Sequence, residues 1–295
     1  MVVVPPPAGE LPAGIGDTEV LIGSPSGDRF RELLAAAPRL RWYQALGAGM
    51  ERFAPALVTR PSVRVTRCRS AVAPPIAEFA LATILAAAKQ ISVHRDAQHR
   101  HDWAAPRNGP ELRDLLGLRL CIVGLGAIGG EIARLAAGLG MRVTGVSRRG
   151  GPHPSAERTL TMENLAGAAA GSDFLVLACP LTERTRGSVD AAVLAGLTPA
   201  SWVVNVARAE VIVEAALLDA LTARRIAGAA LDVMWTEPLP ADSPWWRLAN
   251  VVITPHAASR SPRYRDRLLA LLRENLARYR AGEPLADAVD PAAGY

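Results

Sequence analysis

A six-residue turn in the middle of the chain constrains its fold more than any other feature: Gly124-Leu125-Gly126-Ala127-Ile128-Gly129. It directly follows residues 118–123, which are apolar apart from Arg119, as in a parallel strand buried on both faces. At this spacing Gly124 allows a tight turn, Gly126 leaves room for a pyrophosphate, and Gly129 lets the following helix approach the strand. We therefore predict a dinucleotide site in which the first helical residues, Ala127 and Ile128, bind the phosphates.

Short apolar segments alternate with helix-like segments on both sides of this turn. In the central part of the chain, strands are predicted at 118–123, 142–146, 174–178, 202–205, 228–231 and 251–254. In the first part, a helix is predicted at 27–37, and strands at 20–22, 41–44 and 63–66. This alternation is typical of α/β proteins, and in the central part it predicts a doubly wound parallel sheet, the Rossmann arrangement.

Two longer helices are also predicted. One covers 76–102, after a turn at Pro74-Pro75 and before a connecting loop at 103–109, and the other covers 264–280. The apolar run 80–88 is too short to cross a bilayer, so we expect no membrane partner.

Charge and cysteine content exclude several classes of protein. The net charge is +5, but Lys89 is the only lysine and the arginines are scattered, so we expect no nucleic-acid partner. The three cysteines, Cys68, Cys121 and Cys179, lack the paired spacing of disulfide or metal sites. We expect free thiols, no metal and, since no signal-peptide pattern follows Met1, a cytoplasmic location.

The end of the second central strand bears on the choice of cofactor. NAD-binding proteins of this fold place an acidic residue there to hold the ribose 2′-hydroxyl. In this chain the strand at 142–146 ends in Ser147-Arg148-Arg149. No carboxylate is present to repel a 2′-phosphate, and two guanidinium groups can bind one. We predict NADP as the preferred cofactor, with NAD as the alternative.

Three candidate catalytic residues each follow a predicted strand: Arg208, Glu237 and His256. The carboxyl ends of parallel strands are where such sheets bind ligands. Histidine can give a proton to a carbonyl oxygen near neutral pH, and a neighbouring carboxylate stabilises the imidazolium. The planar fork of arginine binds a carboxylate or carbonyl oxygen. This set suits the reduction of a 2-oxo acid, for which a nicotinamide carries the hydride.

In these motifs the chain resembles the D-isomer-specific 2-hydroxyacid dehydrogenase family, over essentially its whole length. The motifs are the glycine turn, Cys179-Pro180-Leu181-Thr182 with Thr185, Asn205-Val206-Ala207-Arg208, Asp232 with Glu237-Pro238, and Thr254-Pro255-His256. The resemblance implies that Arg208, Glu237 and His256 are the catalytic residues. It also implies cofactor contacts from Cys179, Pro180, Thr185, Val206, Ala207, Arg208, Asp232, His256 and Ala258.

The chain departs from the family pattern at three places. At one of them Val213 precedes Glu214, where the family commonly has an acidic pair. Ala209 follows the arginine where the family usually has glycine, so we expect a slightly shifted loop there. The family's loop for the substrate carboxylate corresponds to Cys68-Arg69-Ser70-Ala71, which lacks the usual glycine. We predict substrate contacts from Arg69, Ser70, Arg208 and His256.

The resemblance further implies how the domains are connected. A smaller, flavodoxin-like α/β substrate domain, 1–92 and 264–295, is interrupted by the Rossmann cofactor domain, 93–263. The long helix and the loop around Trp103 resemble the family's dimerisation arm, so we expect a homodimer. Because the chain ends soon after its last helix, we do not expect a longer, serine-regulated phosphoglycerate dehydrogenase.

Within the family, the chain looks most like the glyoxylate/hydroxypyruvate reductases, because of its short length, its Ser147-Arg148-Arg149 strand ending and its Gly294-Tyr295 tail. An alternative is an NAD(P)-sensing protein with little turnover, like the transcriptional corepressors related to this family. Formate oxidation is disfavoured, since formate enzymes of this superfamily carry glutamine where this chain has Glu237.

Overall fold

The computed structural model describes residues 2–3, 10–51, 53–104 and 111–289. Contacts divide the chain into two compact units, one of Met1–Val72 with Ser261–Tyr295 and one of Ala73–Arg260. The first boundary therefore lies at residue 72 rather than 92, and the second at 260 rather than 263. Which unit binds substrate and which binds cofactor stays a prediction at this point.

The first unit contains a small parallel sheet. Its strands are β1 (Val2–Val3), β2 (Val20–Gly23), β3 (Trp42–Ala45) and β4 (Arg64–Thr66), with the helices α1 (Gly27–Ala36) and α2 (Ala54–Leu57). The described strands follow one another in chain order, because the two-residue β1 pairs on the outer side of β2. A flavodoxin-type sheet exchanges its first two strands, so the predicted α/β class is confirmed but the described order lacks that exchange. Phe30, Tyr43 and Phe53 pack ring against ring beneath the sheet.

The long apolar segment forms two helices, α3 (Arg69–Ala88) and α4 (Ile91–His99). The prediction of a single helix at 76–102 after a proline turn was wrong. Pro74 and Pro75 lie inside α3, and Pro75 has no N–H to give to the carbonyl of Ala71. Nε of Arg267 donates to that carbonyl instead, at 2.8 Å. The break between α3 and α4 has a local cause, because Gln90 has a φ of +50° and so interrupts the helix.

Helix α3 is long and apolar enough to cross a membrane by length and composition, with a mean hydropathy of 1.7. The prediction that this apolar segment is too short was therefore wrong, because the helix begins already at Arg69. Inside the protein, 56% of that window is buried, and this burial accounts for the apolar composition.

The second unit contains a seven-stranded parallel sheet, in the order β11-β10-β9-β8-β5-β6-β7. The strands are β5 (Arg119–Val123), β6 (Arg142–Val146), β7 (Arg158–Leu160), β8 (Phe174–Leu177), β9 (Trp202–Asn205), β10 (Gly228–Leu231) and β11 (Val251–Ile253). The helices are α5 (Ala127–Gly138), α6 (Leu165–Ala169), α7 (Ala191–Ala195) and α8 (Glu214–Thr222). The chain winds outwards in both directions from the β5–β8 pair, which confirms the predicted doubly wound sheet. Only the short edge strand β7 was not predicted.

The last helix, α9 (Tyr264–Ala281), returns to the first unit and ends at Gly282, whose φ is +74°. The chain then pairs antiparallel with β4 through Thr66 and Ala288, and Val289 donates its N–H to the carbonyl of Val65 at 2.9 Å. The C-terminal segment is thereby hydrogen-bonded to the last strand of the small sheet.

Candidate active site

The glycine turn between β5 and α5 has the predicted geometry. Gly124 has a φ of +96°, and a Cβ atom there would lie 2.7 Å from the backbone of Cys179. A Cβ atom at Gly129 would lie 1.7 Å from the carbonyl oxygen of Gly124. The backbone of α5 therefore packs directly against the backbone of the turn after β5, with no room for a side chain at residue 129. At Gly126 a Cβ atom would meet none of the described atoms within 4 Å. The first amides of α5 therefore border a space that suits a phosphate group.

The segment Ser147-Arg148-Arg149 leaves β6 next to this turn, where the N–H of Gly124 donates to the carbonyl of Val146 at 2.7 Å. Oγ of Ser147 accepts the N–H of Gly150 at 3.1 Å and so fixes the bend. Both arginines are exposed. The bend thus places two guanidinium groups at the end of the strand where a 2′-phosphate is expected.

The segment that follows β8 is held by Thr185, whose hydroxyl donates to the carbonyl of Pro180 at 2.7 Å and accepts the N–H of Thr182 at 2.8 Å. Burial raises the pKa of the Cys179 thiol to about 12, so the thiol stays protonated and is no nucleophile. Contacts of these residues with the cofactor remain a prediction.

Arg208 lies just past the end of β9, on a loop fixed by the buried side chain of Asn205. Asn205 accepts the N–H of Ala207 and donates to the carbonyl of Arg208, both at 3.0 Å. Val206 and Ala207 are buried, whereas Arg208 is partly exposed. Ala209 begins a 3₁₀ helix and lacks a positive φ, so the reason for expecting a shifted loop is absent.

His256 lies on a tight turn after β11 and has a left-handed φ of +50°, which is unusual for a residue with a side chain. The buried Asp232 holds this turn. One of its carboxylate oxygens accepts from the hydroxyl of Thr254 (2.6 Å) and the N–H of Ala257 (2.8 Å), and the other from the N–H of Ala258 (2.9 Å). We predicted that Asp232 contacts the cofactor, but the structure directs its oxygens to the turn that carries His256.

Glu237 and His256 form a pair, as the sequence predicted. Oε2 of Glu237 lies 2.9 Å from Nδ1 of His256, and Oε1 accepts the N–H of Met234 at 3.0 Å. Partial burial raises the pKa of Glu237, but these hydrogen bonds and the positive charges of His256 and Arg208 outweigh it. The pKa of Glu237 therefore lies below its ordinary value, so the carboxylate is charged at neutral pH.

Arg69 and Ser70 belong to the other unit and lie in the first turn of α3, not in a loop. Ser70 donates its N–H (2.9 Å) and its hydroxyl (2.8 Å) to Oδ2 of Asp287, and Nε of Arg69 lies 3.5 Å from Oδ1. The groups of Arg69 and Ser70 that we expect to bind a substrate carboxylate thus bind the carboxylate of Asp287 in the C-terminal segment. The N-terminus of α3 also favours a negative charge there. Sequence reasoning missed Asp287, because no local pattern joins residues 217 positions apart.

Comparison with known proteins adds to this geometry. The family model described as "D-isomer specific 2-hydroxyacid dehydrogenase, NAD binding domain" matches residues 81–258. The D-3-phosphoglycerate dehydrogenase of Mycobacterium tuberculosis is 32% identical over 289 residues, which are 98% of this chain and 54% of that protein. The chain therefore spans about half the length of the first curated relatives it matches.

Two solved structures are similar over most of both chains. A D-isomer specific 2-hydroxyacid dehydrogenase from Xanthobacter autotrophicus Py2, in complex with NADPH and MES, is 34% identical with a TM-score of 0.83, over 97% of this chain and 88% of that one. An NADPH-dependent glyoxylate/hydroxypyruvate reductase from Sinorhizobium meliloti, in complex with NADP and sulfate, is 28% identical with a TM-score of 0.82, over 94% and 86%.

Proposed function

This chain belongs to the D-isomer specific 2-hydroxyacid dehydrogenase family, and we propose that it reduces a small 2-oxo acid to the D-2-hydroxy acid with NADPH. The observation that carries the proposal is the 2.9 Å contact between His256 and Glu237. Both residues lie at the sheet edge that also carries Arg208 and the glycine turn, because all these segments follow the carboxyl ends of parallel strands.

The chemical role of each residue follows from this arrangement. With Nδ1 held by Glu237, His256 has Nε2 left to give a proton to the carbonyl oxygen of the substrate. Glu237 stabilises the imidazolium before the transfer, and Arg208 binds the substrate carboxylate through its fork. When bound, the nicotinamide supplies a hydride to the carbonyl carbon, so NADPH is oxidised and the 2-oxo acid is reduced.

The residues present fit a dinucleotide that carries a 2′-phosphate. The open space at Gly126 and the close backbone contact at Gly129 suit a pyrophosphate, and Ser147-Arg148-Arg149 replaces the acid that would hold a 2′-hydroxyl. We expect NADPH to be preferred over NADH in kcat/KM. Combining Ser147→Asp with Arg148→Gln restores an acid and removes a cation, so this variant should reverse the preference. Arg39→Gln, which removes an exposed arginine of the first unit, is the control. A wild type that uses NADH at least as well as NADPH would contradict the assignment.

The negative charge of Glu237 should affect how the rate of reduction depends on pH, because Glu237 is paired with His256. Glu237→Gln keeps the shape of the side chain but cannot stabilise an imidazolium by charge. The rate of reduction should then fall off at a lower pH than in the wild type, while the rate at low pH is partly preserved. The measurement is kcat/KM against pH for both proteins. Superimposable profiles would show that the pairing has no part in proton transfer.

As substrates we propose glyoxylate or hydroxypyruvate, which the similar Sinorhizobium meliloti enzyme is named for. A panel of 2-oxo acids, each assayed with NADPH and with NADH, tests both the activity and the choice of substrate. Tight binding of NADPH without turnover of any 2-oxo acid would instead favour the alternative of an NAD(P)-sensing protein.

A homodimer is also part of the proposal. Five large apolar side chains of one stretch of the second unit are exposed: Ile91 (55%), Val93 (48%), Trp103 (88%), Leu112 (49%) and Leu116 (79%). Several exposed large apolar side chains within one stretch support an interface there. Sedimentation should give the mass of two chains, and Trp103→Glu combined with Leu116→Glu should weaken the association.

Finally, we propose a cytoplasmic location. Cys68, Cys121 and Cys179 are free and buried, which suits a reducing compartment. Fractionation of cells that express the tagged protein tests this location directly.

A further inference from the structure

The loop that carries Glu237 is unusually long for a connection between neighbouring strands. It runs from the end of β10 at Leu231 to the start of β11 at Val251, and its only helical part is a short 3₁₀ turn at Pro244–Arg247. Loops of this length without secondary structure of their own are uncommon in compact domains. Because the side chain of Glu237 is 41% exposed, its position depends on how this loop is held.

A continuous series of contacts leads from Glu237 into the protein. The N–H of Met234 holds Oε1 of Glu237 at 3.0 Å, and the next residue, Trp235, stacks on Trp245. The two rings have centroids 5.2 Å apart and planes inclined by 14°. Trp245 is only 2% exposed, and its indole N–H donates to Oε1 of Glu214 at 3.0 Å.

We propose that Trp235, Trp245 and Glu214 are positioning residues that hold the Met234–Glu237 segment against His256. A buried indole that is stacked on one side and hydrogen-bonded at its nitrogen cannot move without losing both contacts. Glu214 is the first residue of α8, so the loop is fastened to a regular element of the sheet domain. Only the effect of these three residues on catalysis rests on the proposed function. The contact between Glu237 and His256 can be followed without turnover.

The neighbouring Trp246 is the matched control. Its indole N–H donates to the carbonyl of Pro240 in the same loop at 2.8 Å, but it is 53% exposed. It forms no stacked pair among the described aromatic residues. The test compares Trp245→Phe, Glu214→Ala and Glu214→Gln with Trp246→Phe. The full chain is used, and thermal unfolding confirms that each variant is folded.

In the first readout, Trp245→Phe and Glu214→Ala should lower kcat by about tenfold, as small misplacements of catalytic groups do. They should also move the alkaline fall-off of the rate to lower pH, in the direction expected for Glu237→Gln, with NADPH affinity unchanged. Glu214→Gln keeps an acceptor oxygen and should restore the wild-type profile. A profile like that of the wild type in Trp245→Phe and Glu214→Ala would overturn the proposal, and so would an equal shift in Trp246→Phe.

The second readout needs no activity. Because Glu237 accepts a hydrogen bond from Nδ1 of His256, the neutral ring should carry its proton mainly on Nδ1, which ¹⁵N NMR of the labelled protein reports. Trp245→Phe and Glu214→Ala should shift part of the population to the Nε2–H form, and Trp246→Phe should not. If the wild type reduces no 2-oxo acid, the proposed function fails. The comparison of His256 tautomers then still decides whether Trp235, Trp245 and Glu214 position Glu237. If Trp245→Phe does not fold, the comparison of Glu214→Ala with Glu214→Gln decides alone.

Discussion

His256→Ala should lower kcat/KM for a 2-oxo acid by about 10²- to 10⁴-fold at every pH, which is the usual contribution of a positioned general acid. The ring of His256 is held by the carboxylate of Glu237. Without the imidazole, water is left as the source of the proton. NADPH should still bind, because the glycine turn and the end of β6, where its phosphates are expected, are separate from the loop that carries His256. Stopped-flow measurement of binding and steady-state assays separate the two effects.

A second variant controls for the backbone. Residue 256 has a φ of +50°, which asparagine tolerates better than alanine does. His256→Asn should therefore be as inactive as His256→Ala while its fold is disturbed less. His99→Ala, at the exposed end of α4, should have wild-type activity. An active His256→Asn enzyme would refute the assignment of His256 as the acid.

The second large effect is expected at Arg208. Arg208→Lys keeps the charge but replaces a planar fork with a point charge, so kcat/KM should fall by roughly two orders of magnitude or more. The loop itself should persist, because Asn205 fixes it through two hydrogen bonds to backbone atoms of residues 207 and 208; the guanidinium adds one hydrogen bond, from Nη1 of Arg208 to the carbonyl of Ala207 at 2.7 Å. NADPH should still bind through the glycine turn and the end of β6.

The matched control is Arg39→Lys. Arg39 lies 2.9 Å from Asp17 in an exposed ion pair of the first unit, and such pairs contribute little to stability. If Arg208→Lys retained near-normal turnover while Arg39→Lys behaved as the wild type, Arg208 would be structural and not a ligand of the substrate carboxylate.

The features that could be predicted from the sequence are those with a local signal. The glycine turn, six of the seven strands of the large sheet and the positions of Arg208, Glu237 and His256 at the strand ends follow from short patterns. The pairing of Glu237 with His256 followed from the chemistry of a 2-oxo acid reductase and from family resemblance. In each case the residues that determine the structure are close together in the chain, or the strand order brings them to one sheet edge.

The features that could not be predicted depend on distant partners. In the helix through Pro74-Pro75, Arg267 donates to the carbonyl of Ala71 that Pro75 cannot serve, and no pattern near the prolines shows this. Likewise Asp287 takes the donors of Arg69 and Ser70 from the far end of the chain. Asp232 was assigned to the cofactor because it lies in a family motif. The structure shows its oxygens engaged with the turn around His256.

Hydride transfer can be followed directly with NADPH that carries deuterium at both C4 positions of its nicotinamide and with hydroxypyruvate as the acceptor. We expect one deuterium at C2 of the product for each NADPH consumed, with the product entirely in the D form. In His256→Asn the labelled product should form at least about 10²-fold more slowly, although that variant still binds NADPH. Binding of NADPH by the wild type without labelled product, or labelled product in the L form, would contradict the proposed reaction.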